Sequence, residues 1–228
     1  MFFDPYILLV LPALIFAMWA QWKVQHTYAQ YQKVPAANGL TGRQMAETIL
    51  RQNGLADVAV EEVQGVLSDH YDPRIRKVRL SSHNYHDRSI AAVAVAAHEV
   101  GHALQHANGY APLAIRSAIA PVAGFGSTLA FPLFFIGLVF GGGSLRFLMD
   151  LGILFFAGAV LFQVVTLPVE FDASKRALVQ LTSTGAVAPQ EVSLAKRVLD
   201  AAALTYVAAA AVAALQLLRM VLLRNSRN

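Results

Sequence analysis

The chain of 228 residues contains no cysteine. Disulfides and thiolate metal sites are thereby excluded, and any metal must be held by imidazole and carboxylate. Charge is also scarce. Asp, Glu, Lys and Arg make up 14% of the residues, against roughly a quarter in soluble domains. That deficit points toward lipid. The net charge is +4, but no basic tract accompanies it, so nucleic acid is not expected as a partner. The N-terminus lacks a positive region before its apolar core and a small-residue cleavage site, which argues against a cleaved signal peptide.

What is abundant is hydrophobic sequence, 56% of the chain. Four stretches reach the roughly 20 apolar residues that a membrane-spanning helix needs. The first is Phe2 to Trp22, with Trp19 and Trp22 fitting an interfacial belt. The second, Ser117 to Phe140, carries no charge; Pro121, Pro132, Gly124 and Gly126 predict a kink in it. "GGGS" at 141–144 reads as a tight turn. The third runs back from Phe147 to about Leu167, with Asp150 near its turn end. The fourth, Ala201 to Leu223, is rich in small residues suited to close helix packing. Four buried helices of a soluble protein are the alternative, weakened by the length of the uncharged runs.

Four spans put both termini on one side, and 23–116 and 168–200 on the other. Fourteen of the Lys and Arg residues fall in those two segments, against Arg146, Arg219, Arg224 and Arg227 opposite. The distribution predicts that the segments face the cytoplasm.

Residues 23–112 read as a small α+β unit. "LTGRQMAETILRQNG" predicts a helix capped by Thr41 and stopped by Gly54. "DVAVEEVQG" and "RKVRLSS" alternate as short strands, joined by a turn-like "SDHYDPR" around Pro73. A second helix is expected after Asp87 as N-cap, with its apolar run starting at Ile90 and its end at "NG" 108–109.

That second helix holds "HEVGH". Two histidines four residues apart are separated by about 40° of rotation and one turn, so His98 and His102 can reach one ion from the same face. Glu99 lies about 100° from His98. From there it can contact a metal-bound water rather than the metal, and can serve as general base for a water whose pKa zinc lowers toward ~7. Gly101 would let another segment approach closely.

A catalytic zinc usually has three protein ligands and one open position. His106 fails as the third: it sits about 12 Å along the helix from His98, and Gln105 stands where the metzincin pattern needs glycine. An interfacial or substrate-side role suits it better. Among downstream acids, Asp150 falls on the wrong side of the membrane, and Glu191 and Asp200 lie in or beside an amphipathic stretch where acids are solvated. Glu170 emerges from the third span next to hydrocarbon, where a carboxylate needs a partner, and is favoured as the third ligand. Asp172 is a candidate acceptor for a ligand's N–H, or a cap or ion-pair partner of Lys175 or Arg176.

Together, "SDHYDPR", "VRLSSHNYHDRSIAAVAVAAHEVGHALQHANGY", "PVEFDASKRAL" and "LDAAALTYVAA" closely resemble the YugP-like neutral zinc metallopeptidases of bacterial membranes, through nearly the whole chain. The layout is more distantly similar to the HtpX-type and CAAX-prenyl membrane endopeptidases. The resemblance implies one zinc ion on His98, His102 and Glu170, with Glu99 as catalytic base. In the more distant group an aspartate usually follows the ligand glutamate by four residues; here that position is Ser174, so the groups supporting the ligands cannot be carried over. By the same analogy "KVRLSS" would be an edge strand pairing an extended substrate, or else an ordinary strand covering the core. His83, His86, Tyr85 and Tyr110 are unranked candidate donors to an oxyanion.

The expected fold is mostly α: a multi-pass membrane protein of about four transmembrane helices, with a small α+β gluzincin-like zinc-peptidase unit at the membrane face. It is read as one integrated domain. Residues 1–22 form the first span, 23–112 the catalytic segment, and 113–169 a transmembrane hairpin. Residues 170–200 carry the third ligand and an amphipathic helix, and 201–228 the fourth span and tail. The expected function is a zinc metallopeptidase of the cytoplasmic (inner) membrane, an endopeptidase with its active site on the cytoplasmic side. It would act on a peptide or membrane-protein substrate, with the bilayer as its other partner. The alternatives are a membrane scaffold or chaperone with structural zinc, and a zinc hydrolase of a non-peptide bond. Substrate preference and oligomeric state are not written in the residues.

Overall fold

The computed structural model describes residues 4–37, 39–140, 144–185 and 187–226. Phe2, the "GGG" of the expected turn and Arg227 lie outside the described residues. Seven helices run in chain order: α1 (Ile7–Tyr31), α2 (Gly42–Gln52), α3 (Ser82–His86), α4 (Ile90–Ala107), α5 (Ala111–Phe140), α6 (Phe147–Ser183) and α7 (Pro189–Asn225). Between α2 and α3 lie β1 (Ala59–Val63), β2 (His70–Asp72) and β3 (Lys77–Ser81), and a short 3₁₀ turn (Ser144–Arg146) precedes α6. The chain divides into two compact units, one of residues 1–20, 114–168 and 205–228, the other of 21–113 and 169–204.

Among the described residues, the first unit is built of helices. α1, α5, α6 and α7 are each long and apolar enough to cross a membrane, yet only 17, 28, 17 and 11% of their most apolar stretches is buried. Helices of a soluble core would show the reverse. Side chains such as Leu8, Ile15, Met18, Val122, Phe125 and Leu154 stand largely exposed, as lipid-facing residues do. Small residues bring α5 and α6 together here. A Cβ on Gly137 would stand 2.6 Å from the Met149 backbone nitrogen, and one on Gly152 would stand 2.6 Å from the Ala130 carbonyl. Phe134, Met149, Phe156 and Met220 pack around that contact. Arg224 donates to Asp150 at 2.8 and 3.2 Å, and Arg219 pairs with Asp4. The tail thus pairs with the acid near the turn, as four alternating spans require.

In the second unit, α2 forms where expected. Thr41 accepts from the Gln44 backbone N–H, and the Gln44 side chain accepts from the Thr41 N–H, closing a capping box. Gly54, at φ +72°, lets the chain leave the helix. Met45, Ala46, Ile49 and Leu50 form its buried stripe. They join Val78 and Leu80 of β3 and the apolar residues of α4 in one core. Helix α4 is buried along nearly its whole length, consistent with an Ala- and Val-rich sequence that is apolar all round.

Three sequence expectations are corrected. The sheet order is β1-β3-β2, so "KVRLSS" is not an edge strand. β3 lies centrally, parallel to β1 over its whole length and antiparallel to β2 at Lys77–Arg79, so that stretch is paired on both sides. The first half of the connection around Pro73 is itself a strand, because Tyr71 pairs with Val78. The cap of α4 is Ser89, whose Oγ accepts from the Ala92 N–H at 3.2 Å. Asp87 instead closes the short α3, its N–H donating to the His83 carbonyl. The extended segment that follows bridges Pro35 to Ser89, which moves the helix start two residues onward. Helices α6 and α7 also continue well past the apolar runs that define the spans.

One contact fixes where α6 meets α4 in this unit: a Cβ on Gly101 would stand 2.5 Å from the Ala173 carbonyl oxygen. Gly101→Ala gains up to about 1 kcal/mol of helix propensity but forces two backbones apart, at about 1–3 kcal/mol. A net fall in unfolding temperature is expected. Gly124→Ala, whose Cβ would meet nothing within 4 Å, should show no fall. Equal behaviour of the two variants would contradict the contact.

Candidate metal centre

Ser89 and the apolar run set the register of α4, and that register places His98 and His102 on one face. Their ring centroids are 4.8 Å apart and nearly perpendicular. The Gly101 contact brings in α6, and with it Glu170, 72 residues after His98. Glu170 Oε2 lies 3.2 Å from His98 Nε2 and 3.6 Å from His102 Nε2. One ligand atom from each of the three residues falls within 4.8 Å of the others. Glu170 is 2% exposed and His102 8%, so water does little to screen these groups.

The far sides of both rings are engaged. Ser174 Oγ lies 3.2 Å from His98 Nδ1, and Gln105 Oε1 lies 3.0 Å from His102 Nδ1. The Gln105 Nε2 donates to the Val169 carbonyl at 2.7 Å and to Asp172 Oδ2 at 2.9 Å. Arg176 Nε donates to the same Asp172 oxygen at 2.5 Å, and its guanidinium lies over the Tyr110 ring. Asp172 therefore reaches the ligand histidine through Gln105, and also makes the ion pair with Arg176 that its sequence position allowed.

These groups fit a divalent ion. Two imidazole nitrogens and a carboxylate oxygen converge, and each Nδ1 faces a polar partner, so both Nε2 atoms are available inward. The charges agree. Burial disfavours the imidazolium of His102, but the hydrogen bond and charge of Glu170, with the charge of Glu99, outweigh it and raise its pKa. The centre draws in a positive charge, and a metal supplies one. The ligand types suit zinc.

Glu99 sits beside this cluster and is 7% exposed. Among the described residues no hydrogen bond or ion pair holds its carboxylate. Burial raises its pKa against the attraction of His98 and His102, and the charges of Asp69 and Glu170 add to the rise.

The other acids and histidines singled out from the sequence have partners of their own. His106 Nδ1 bonds the Tyr71 hydroxyl at 2.8 Å. Glu191 accepts from the Ala188 and Ala37 backbone N–H groups, Asp200 pairs with Lys196, and Asp150 pairs with Arg224. His83 faces Asp87, and His86 bonds Glu62 at 3.0 Å. Arg43 covers the Tyr85 ring. Of the four candidate oxyanion donors, Tyr110 is tied to the cluster's own network, through Arg176. Sequence reasoning missed Gln105 and Ser174. The signal for Gln105 was its position one turn after His102 on the same helix.

Comparison with known proteins points to zinc peptidases. The profile of the family described as "Putative neutral zinc metallopeptidase" matches residues 6–225. A Bacillus subtilis (strain 168) protein named "Putative membrane protease YugP" is 49% identical over 218 residues, covering 96% of each chain. No solved structure matches the chain.

Glu170→Ala removes the acidic member of the cluster. Zinc content after purification and dialysis, read by elemental analysis, should fall well below one ion per chain. Full occupancy in the variant would rule Glu170 out as a required ligand.

Proposed function

The chain belongs to the neutral zinc metallopeptidase family, and on that premise we propose that it is a membrane-embedded zinc-dependent endopeptidase. His98, His102 and Glu170 hold one zinc ion, and Glu99 is the general base. The observation that carries this reading is a three-donor cluster beside a buried carboxylate that makes no hydrogen bond among the described residues.

Zinc, when bound, supplies a Lewis acid that makes water acidic near neutral pH and polarises a carbonyl. The chain's own residues handle the proton. Glu99 takes it from the attacking water, holds it, and delivers it to the leaving amine. A carboxylate raised by burial is suited to that task, because it binds a proton more readily than an exposed one. Ser174 and Gln105 engage the outward nitrogens of His98 and His102, so both rings can present Nε2 inward.

A structural zinc in a scaffold or chaperone would use a closed four-ligand shell. The candidate group among the described residues has three members, and a structural site has no use for Glu99. Hydrolysis of a non-peptide bond would use the same base. The protease name of the Bacillus subtilis relative favours the peptide bond, with a peptide or membrane-protein substrate. The fourteen-to-four distribution of Lys and Arg supports the cytoplasmic membrane, with the site facing the cytoplasm.

Glu99→Gln keeps the size of the side chain and removes the base. Peptide cleavage should fall by about 10²–10⁴-fold with zinc retained, and proteins accumulating in membranes of the variant strain would identify substrates. Unchanged turnover would reject the mechanism.

A further inference from the structure

We propose that Gln105 is a positioning residue that fixes the tautomer and orientation of His102; this rests on the reading of His98, His102 and Glu170 as zinc ligands. The inference follows from donor and acceptor inventory. Gln105 is fully buried. One end of its amide faces the Val169 carbonyl at 2.7 Å and Asp172 Oδ2 at 2.9 Å. A carbonyl, and a carboxylate that takes the Arg176 N–H at that same oxygen, can only accept. The end facing them must therefore be the NH₂, which has two hydrogens for these two acceptors. The amide oxygen is then committed to His102 Nδ1 at 3.0 Å. An oxygen that only accepts requires a hydrogen on that nitrogen. Nε2, which faces Glu170 Oε2 at 3.6 Å, then offers its lone pair to a cation whenever the ring is neutral.

The two histidines are thus held by different logic. Ser174 Oγ, at His98 Nδ1, is a hydroxyl that donates or accepts equally well, so it orients the ring without selecting a tautomer. Gln105 selects one. Its setting resists rotation, because turning the amide would place its oxygen against two acceptors. Arg176 anchors Asp172, and Tyr110 packs on Arg176. The chain from Tyr110 to His102 therefore holds the amide from behind. Val169 and Asp172 flank Glu170 on α6, so the helix that brings the carboxylate also sets the histidine opposite it.

The test uses full-length protein in detergent. Zn²⁺ affinity is read by chelator competition, and the Co²⁺ form by its visible absorption. Gln105→Met keeps the volume and removes both amide functions. It should weaken Zn²⁺ binding by about 10–100-fold and alter the Co²⁺ bands. Asp172→Ala removes one of the two acceptors that orient the amide and should weaken binding several-fold. Asp172→Asn retains an oxygen able to accept from both Gln105 and Arg176, and should bind close to wild type. This pair decides the matter if Gln105→Met does not fold. A role limited to packing α4 against α6 would lower the unfolding temperature of the metal-free variants but leave affinity and Co²⁺ bands unchanged. Affinity within threefold of wild type in Gln105→Met, or in Asp172→Ala where the Met variant does not fold, overturns the inference. A wild-type protein that binds neither ion would instead sink the metal-site reading itself.

Discussion

The arrangement depends on one backbone contact. At Gly101 helix α4 has no side chain, and the Ala173 carbonyl of α6 occupies the space where a Cβ would stand. Helices carrying larger residues pack with axes 8–10 Å apart. The short side chains at this contact let α6 come close enough for Glu170 to lie 3.2 Å from an imidazole one turn away on α4. The same approach places Val169, Asp172 and Ser174 within hydrogen-bonding reach of the α4 side chains behind the histidines. Ligand placement and ligand support follow from a single crossing.

Electrostatics then decides what such a cluster can be. A buried carboxylate is costly unless it is paired or bound to a metal. Glu170 meets that condition through two imidazoles. Glu99, in the same buried neighbourhood, makes no hydrogen bond among the described residues, and burial raises its pKa. A buried carboxyl whose ionised form is disfavoured takes up a proton more readily. The two acids thus differ, one engaged by two imidazoles and one not, and the proposed division into ligand and base uses that difference.

Much of this was legible in the residues. The spacing of "HEVGH" dictates a shared helix face, and helix rise alone removes His106. The position of Glu170 just beyond the third apolar span marked it as an acid in need of a partner. Four long apolar runs appear as four long helices, whose exposed apolar surface agrees with lipid as their surroundings. What escaped was non-local. The central place of β3 depends on pairing with β1 and β2, and alternation within a strand carries no information on which neighbours it finds. The shift of the α4 cap from Asp87 to Ser89 follows from a bridge to Pro35, far away in sequence. Gln105 was read against a glycine pattern that it does not follow. Its role appears only once α6 supplies two acceptors.

The central claim is that two imidazoles and one carboxylate form a zinc centre, and X-ray absorption at the zinc edge tests it most directly. Purified protein with one zinc per chain should give only nitrogen and oxygen neighbours near ~2.0–2.2 Å, with the multiple-scattering pattern of two histidines. The His102→Ala variant should show one histidine fewer in whatever zinc it retains. A spectrum without histidine scattering, or one unchanged by removal of His102, would contradict the account.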